Sequence, residues 1–72
     1  METVHDIIEA LGGTSAFGRA IGVKQSTASE MKRRASIPVE HWPKLILAAK
    51  ATGKTVTTDE LVEMHLKRAR AL

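Results

Sequence analysis

Residues 24 to 34 read Lys-Gln-Ser-Thr-Ala-Ser-Glu-Met-Lys-Arg-Arg, a run in which short amide and hydroxyl side chains precede a block of cations. Amides and hydroxyls bond the edges of bases, and ammonium and guanidinium groups hold phosphate, so this is chemistry suited to a double-stranded nucleic acid. Projected as a helix at about 100° per residue, Gln25, Ser26, Ser29 and Arg33 fall within about 100° of one another, with Ala28 and Met31 on the other side. Such a helix docks through few contacts and leaves most of its circumference to a partner, as entry into a major groove about 12 Å wide demands. An ordinary solvated face mixes long Glu and Lys side chains, whereas this one places short polar groups at its amino-terminal end.

Catalytic patterns are poorly supported. His5, His41 and His65 are widely spaced, without a His-Glu-x-x-His arrangement and without any cysteine, so no metal-ligand spacing is present. Gly53-Lys54-Thr55 matches the end of a phosphate-binding loop, but Ala48 stands where that motif requires its first glycine, and a helix pattern precedes it instead of a strand. No nucleophile is paired with a base. The expectation is a protein that is not an enzyme and carries no cofactor and no metal.

The polar run needs a support, and the preceding residues supply one. Thr14 is expected to cap a helix whose inward residues are Phe17 and Ile21, one turn apart. Gly22 provides the permissive backbone that ends this helix and turns the chain within three or four residues. Gly18 is small where the two helices approach most closely.

The remaining chain reads as scaffold. Val4, Ile7, Ile8 and Leu11 make one apolar stripe, with Thr3 and Asp6 as a cap pair and Gly12-Gly13 as the stop. Ser36-Ile37-Pro38 breaks the helix pattern and restarts it. Trp42, Leu45, Ile46 and Ala49 form a second stripe in which Trp42 is a core anchor, and Pro43 marks either the helix start or a kink in its first turns. Thr52-Gly53 closes that helix, and Thr57 with Glu60 makes a capping box for a fifth. With no repeats and no strand pattern, residues 1–72 are expected to form one compact all-α domain of five helices.

Thr14 to Met31 resembles the helix-turn-helix of the Cro and phage-repressor class, also called the xenobiotic-response-element class. GVKQSTASEMKRR followed by IPVEHWPKLILAAKATG is similar to its YdaS-like, prophage-associated branch. The likeness runs from Ile7 to Met64 and is most specific from Phe17 to Met31, where Gly18 takes the usual small position and Gly22 the usual turn glycine. Phe17, Ile21, Val23, Ala28 and Met31 take the usual apolar positions. Two departures stand out: Lys24 replaces the Ser or Thr that commonly caps the recognition helix, at a cost of about 1 kcal/mol, and Ala28 is smaller than the usual Ile or Val.

The resemblance implies a lambda-repressor-like DNA-binding fold, with the motif over residues 14–34. It implies Gln25, Ser26 and Glu30 at base edges, with Lys24 and Ser29 beside them. Gln bridges adenine N6 and N7, Ser bonds several base edges, and Glu accepts from cytosine N4. Two readings of Glu30 stay open, base contact and repulsion of wrong sites. Thr14 and Ser15 are expected to meet a phosphate, with Lys24 near the backbone and Lys32, Arg33 and Arg34 as further phosphate contacts.

Charge is mildly basic, with 11 Lys+Arg against 8 Asp+Glu, a formal charge of +3 and a pI near 9.7. Its distribution matters more: Glu2, Asp6 and Glu9 make the amino-terminal end acidic, and cations gather at 32–34 and at Lys67, Arg68 and Arg70. Nothing in the sequence resembles a membrane span or an export signal, and the absence of cysteine fits a reducing cytoplasm. On the last helix, 58–71, Leu61 and Met64 form one stripe and Val62, Leu66 and Ala69 another, with Leu72 beyond. In the resembling class such surfaces pair two subunits, which would set recognition helices about 34 Å apart; the alternative is that both stripes fold into one core. The expected function is a sequence-specific regulator that occludes a promoter as a homodimer on double-stranded DNA. The alternatives are an antitoxin or autoregulator with a toxin as protein partner, and an adaptor that keeps the motif only as scaffold.

Overall fold

A computed structural model describes the backbone of residues 3–71 and the side chains of residues 3–67. Glu2 and Leu72, and the side chains of Arg68, Ala69 and Arg70, therefore lie outside the described residues. Five α-helices follow one another: α1 (Val4–Ala10), α2 (Thr14–Ile21), α3 (Gln25–Arg34), α4 (Trp42–Ala51) and α5 (Thr58–Ala71), with a 3-10 turn Val39–His41 leading into α4. No strand occurs among the described residues, and none of their helices is long and apolar enough to cross a membrane.

Helix starts follow the sequence at both ends of the chain. The Asp6 N–H donates to Thr3 Oγ1 at 3.1 Å, and in the α5 box the Glu60 N–H donates to Thr57 Oγ1 at 3.1 Å while the Thr57 N–H donates to the Glu60 carboxylate at 3.3 Å. Each closes donors that a helix start leaves open. Helix α2 departs from expectation. Its cap is Gly13, not Thr14, which is already the first helical residue and makes no cap hydrogen bond with its side chain. The cause is backbone geometry, since Gly13 sits at φ 100°, where a β-branched residue is strained. Pro43 is the second residue of α4, a start and not a kink, because a first-turn position needs no N–H.

Helix ends share one device. After α1, α2, α3 and α4 the chain reverses through paired bonds back into the last turn, as in Val23 N–H to Gly18 O at 2.9 Å and Ser36 N–H to Met31 O at 3.1 Å. Three of these reversals use a glycine at positive φ, Gly12, Gly22 and Gly53. The fourth, after α3, uses Ala35 at φ 52°, the only non-glycine residue in that region among those described.

One core joins the helices. Val4, Ile7 and Ile8 of α1, Phe17 and Ile21 of α2, Ala28 and Met31 of α3, Leu45 and Ala49 of α4, and Leu61 and Met64 of α5 are buried, together with Ile37 and Val56 from the connections. Trp42 packs at its edge, half-buried, with Nε1–H donating to Ile37 O at 2.9 Å and its ring tilted against His65 at 5.4 Å. His65 completes the joint: its Nε2 accepts from the Ile37 N–H at 2.9 Å, and Nδ1 lies 2.7 Å from Leu61 O, an arrangement that suits the Nδ1–H tautomer. This clasp fastens α5 to the segment behind α3.

Candidate nucleic-acid interface on the third helix

The seat of α3 is narrow because little of it is apolar. Ala28 is fully buried and Met31 nearly so, while Gln25, Ser26, Thr27, Ser29, Arg33 and Arg34 are exposed. Its principal support is α2, across a contact that Gly18 permits: a methyl group there would stand 3.2 Å from Ala28 Cβ and 3.3 Å from the Val23 carbonyl. Both distances are tighter than most Cβ contacts, so the neighbours would have to give by a few tenths of an ångström, and the second neighbour is backbone. The small Ala28 and the absent side chain at residue 18 are thus two halves of one close approach.

At its amino-terminal end α3 is open. Lys24 occupies the cap position in extended backbone and makes no side-chain cap bond, so the first N–H groups of the helix are left to solvent or to a ligand. Gln25, Ser26 and Ser29 stand exposed beside it, engaging no side-chain partner among the described residues. Lys44 brings a cation that the sequence pattern did not indicate. Although it belongs to α4, its Nζ lies over the turn between α2 and α3, 3.5 Å from where a Gly22 Cβ would be. Only the packing of α4 on α2 makes these residues neighbours. On α2, Ser15 is exposed and Thr14 half-buried at a helix start that also lacks a side-chain cap.

At its carboxyl-terminal end the cations are engaged. Both carboxylate oxygens of Glu30 accept from Arg33, one from Nε at 3.2 Å and the other from Nη2, and the latter oxygen also accepts from Arg34 Nε at 2.7 Å. Side-chain hydrogen bonds from Arg33 and then Arg34 hold the Glu30 carboxyl below the ordinary carboxylate range, and the same bond raises Arg33. These groups are exposed, the Arg33 and Arg34 side chains at 69% and 64%, so the cluster sits in water on the outer side of the helix. Thr27, Pro38 and Ser36 border a shallow cavity of about 170 Å³ next to it.

Lys32 does not join this face. Its Nζ reaches back to Glu9 Oε1 of α1 at 3.2 Å, and His5 Nε2 lies 3.7 Å from the same oxygen. Helical geometry explains the difference: residue 32 projects near the buried edge of α3, about 100° from Arg33 and toward α1. The acidic amino-terminal end is correspondingly less remote from the basic run than its sequence position implies, because Glu9 lies against the last turn of α3.

The α5 stripes also separate. Leu61 and Met64 are 0% and 4% exposed within this single chain, so they are core residues and not a surface for a second subunit. Val62 and Leu66 are 42% and 45% exposed, and among the described residues Val39 and Leu47 are also large apolar side chains left open. No group of His, Asp and Glu among the described residues is arranged to hold a metal ion. Comparison with family models, curated proteins and solved structures yields no significant match to this chain.

Proposed function

We propose that the chain is a double-stranded DNA-binding regulator in which α2 and α3 form a helix-turn-helix and α3 enters the major groove. The observation that carries this reading is the division of α3 into a minimal buried edge, Ala28 and Met31, and a wide exposed surface of short hydrogen-bonding side chains beside cations. An amphipathic surface helix of a plain scaffold would bury more and expose longer, mixed charges. On this reading Gln25, Ser26 and Ser29 meet base edges, and Lys24, Lys44 and Arg33 grip phosphates. Thr14 and Ser15 offer hydroxyl and N–H donors to a neighbouring phosphate.

Promoter occlusion as a homodimer is the regulatory form proposed. Val62 and Leu66, exposed on one side of α5, supply the apolar surface for a second subunit, since a single small module buries limited area on DNA. The same exposed residues fit a different protein partner, as an antitoxin or adaptor would need. Selection of duplexes from a randomised library, followed by competition against random duplex, tests the DNA reading. Lack of any selected sequence would leave the adaptor reading.

A further inference from the structure

The three cations at the end of α3 are all occupied inside the chain: Lys32 by Glu9, and Arg33 with Arg34 by the single carboxylate of Glu30. In the second arrangement one carboxylate engages two guanidinium groups through both of its oxygens. The Nε and Nη2 donors that Arg33 commits to it form the planar fork with which arginine also binds phosphate in two-point fashion. A carboxylate and a phosphate present similar paired oxygens to that fork.

Accordingly, and resting on the DNA-binding reading above, we infer that Glu30 is an intramolecular stand-in for phosphate that holds Arg33 and Arg34 in the free chain, so that DNA backbone must displace it to gain either cation. The exchange carries a penalty on any sequence. When the arginines leave, Glu30 remains as an uncompensated anion beside a polyanion, unless a base such as cytosine offers an N4–H donor at that place. Random duplex supplies such a donor in only a minority of registers. Glu30 therefore lowers non-specific affinity in two ways, through its hold on the two arginines and through the repulsion it exerts once they leave.

Substitution E30Q keeps the size and helix preference of the side chain and removes the charge. On random-sequence duplex at about 0.1 M salt, E30Q is expected to bind about three- to tenfold more tightly than wild type, the scale that two exposed ion pairs support. The dependence of log affinity on log salt should steepen by up to about one unit, since an arginine released from Glu30 is free to displace a counterion. A cycle with R33Q/R34Q separates the exchange from general repulsion: in that background the gain from E30Q should shrink to the part that repulsion alone supplies. A gain that persists undiminished there, equal binding by wild type and E30Q, or weaker binding by E30Q would each overturn the inference, the last by showing that Glu30 supports Arg33 for binding or reads a base itself. Absence of binding by both proteins would instead overturn the DNA-binding reading.

Discussion

The two halves of the exposed α3 surface lie side by side on one rigid element and differ in what they offer. At the amino-terminal half, Lys24, Gln25, Ser26 and Ser29 leave their hydrogen-bonding groups open, and the helix start has no side-chain cap. At the carboxyl-terminal half, Glu30, Arg33 and Arg34 have satisfied one another. The difference shows that a basic run in sequence can be partly neutralised within the chain, since one carboxylate pairs with two exposed guanidinium groups. What the free chain presents is an open half, where Lys24 stands beside directional amide and hydroxyl groups, and a half whose two arginines are already paired with a carboxylate.

Both halves depend on the seat beneath them, so the largest effect is expected where that seat is tightest. Gly18→Val should destabilise the fold by about 3 kcal/mol, because its side chain meets both Ala28 and the Val23 carbonyl, and thermal unfolding would read it. Next comes the open half. Gln25→Ala should relax discrimination at one base position by about 1–3 kcal/mol while leaving the salt dependence unchanged, as read by binding to a panel of single-site duplex variants. By contrast, Lys44→Gln should weaken all sequences alike and reduce the salt slope by about one unit, which sorts phosphate contact from base reading.

Smaller effects probe how α3 ends. Ala35→Gly should stabilise the chain by about 0.5–1 kcal/mol in thermal unfolding, since relief of the left-handed backbone exceeds the added entropy of the unfolded glycine. The smallest concerns the pairing itself. The Glu30 carboxyl should titrate below the ordinary carboxylate range by NMR and return toward it in R33Q/R34Q. Because the folded value is the depressed one, the contribution of the pairing is complete above the unfolded carboxylate range and is lost as pH falls through the folded value.

Much of this arrangement was legible in the chain because it rests on local rules. The Thr3–Asp6 and Thr57–Glu60 caps, the αL glycine at residue 22 and the stripe through Ile7 and Ile8 all express spacing within a few residues, and each formed as expected. Gly18 was also readable, since a mid-helix glycine one turn before a helix stop has few uses besides close packing. What the pattern concealed is either competitive or distant. Thr14 lost the cap position to a glycine whose backbone angle suits it better. No local signal marks Ala35 as a helix stop, because the residue tolerates its left-handed angle instead of favouring it. Lys44 over the α2–α3 turn, Lys32 on Glu9 and the His65–Ile37–Trp42 clasp join residues far apart in sequence, and only packing brings them together. Glu30 is the instructive middle case: its i+3 and i+4 arginines were visible, and their spacing alone permits the pairing that changes what the basic run means.

Whether α3 reads DNA is decided by competition binding. The wild-type chain, held on a labelled duplex it has selected from a randomised library, should be displaced by unlabelled copies of that duplex at concentrations on the order of 10³-fold lower than by random duplex. Equal displacement by the two competitors would mean that α3 does not read base sequence.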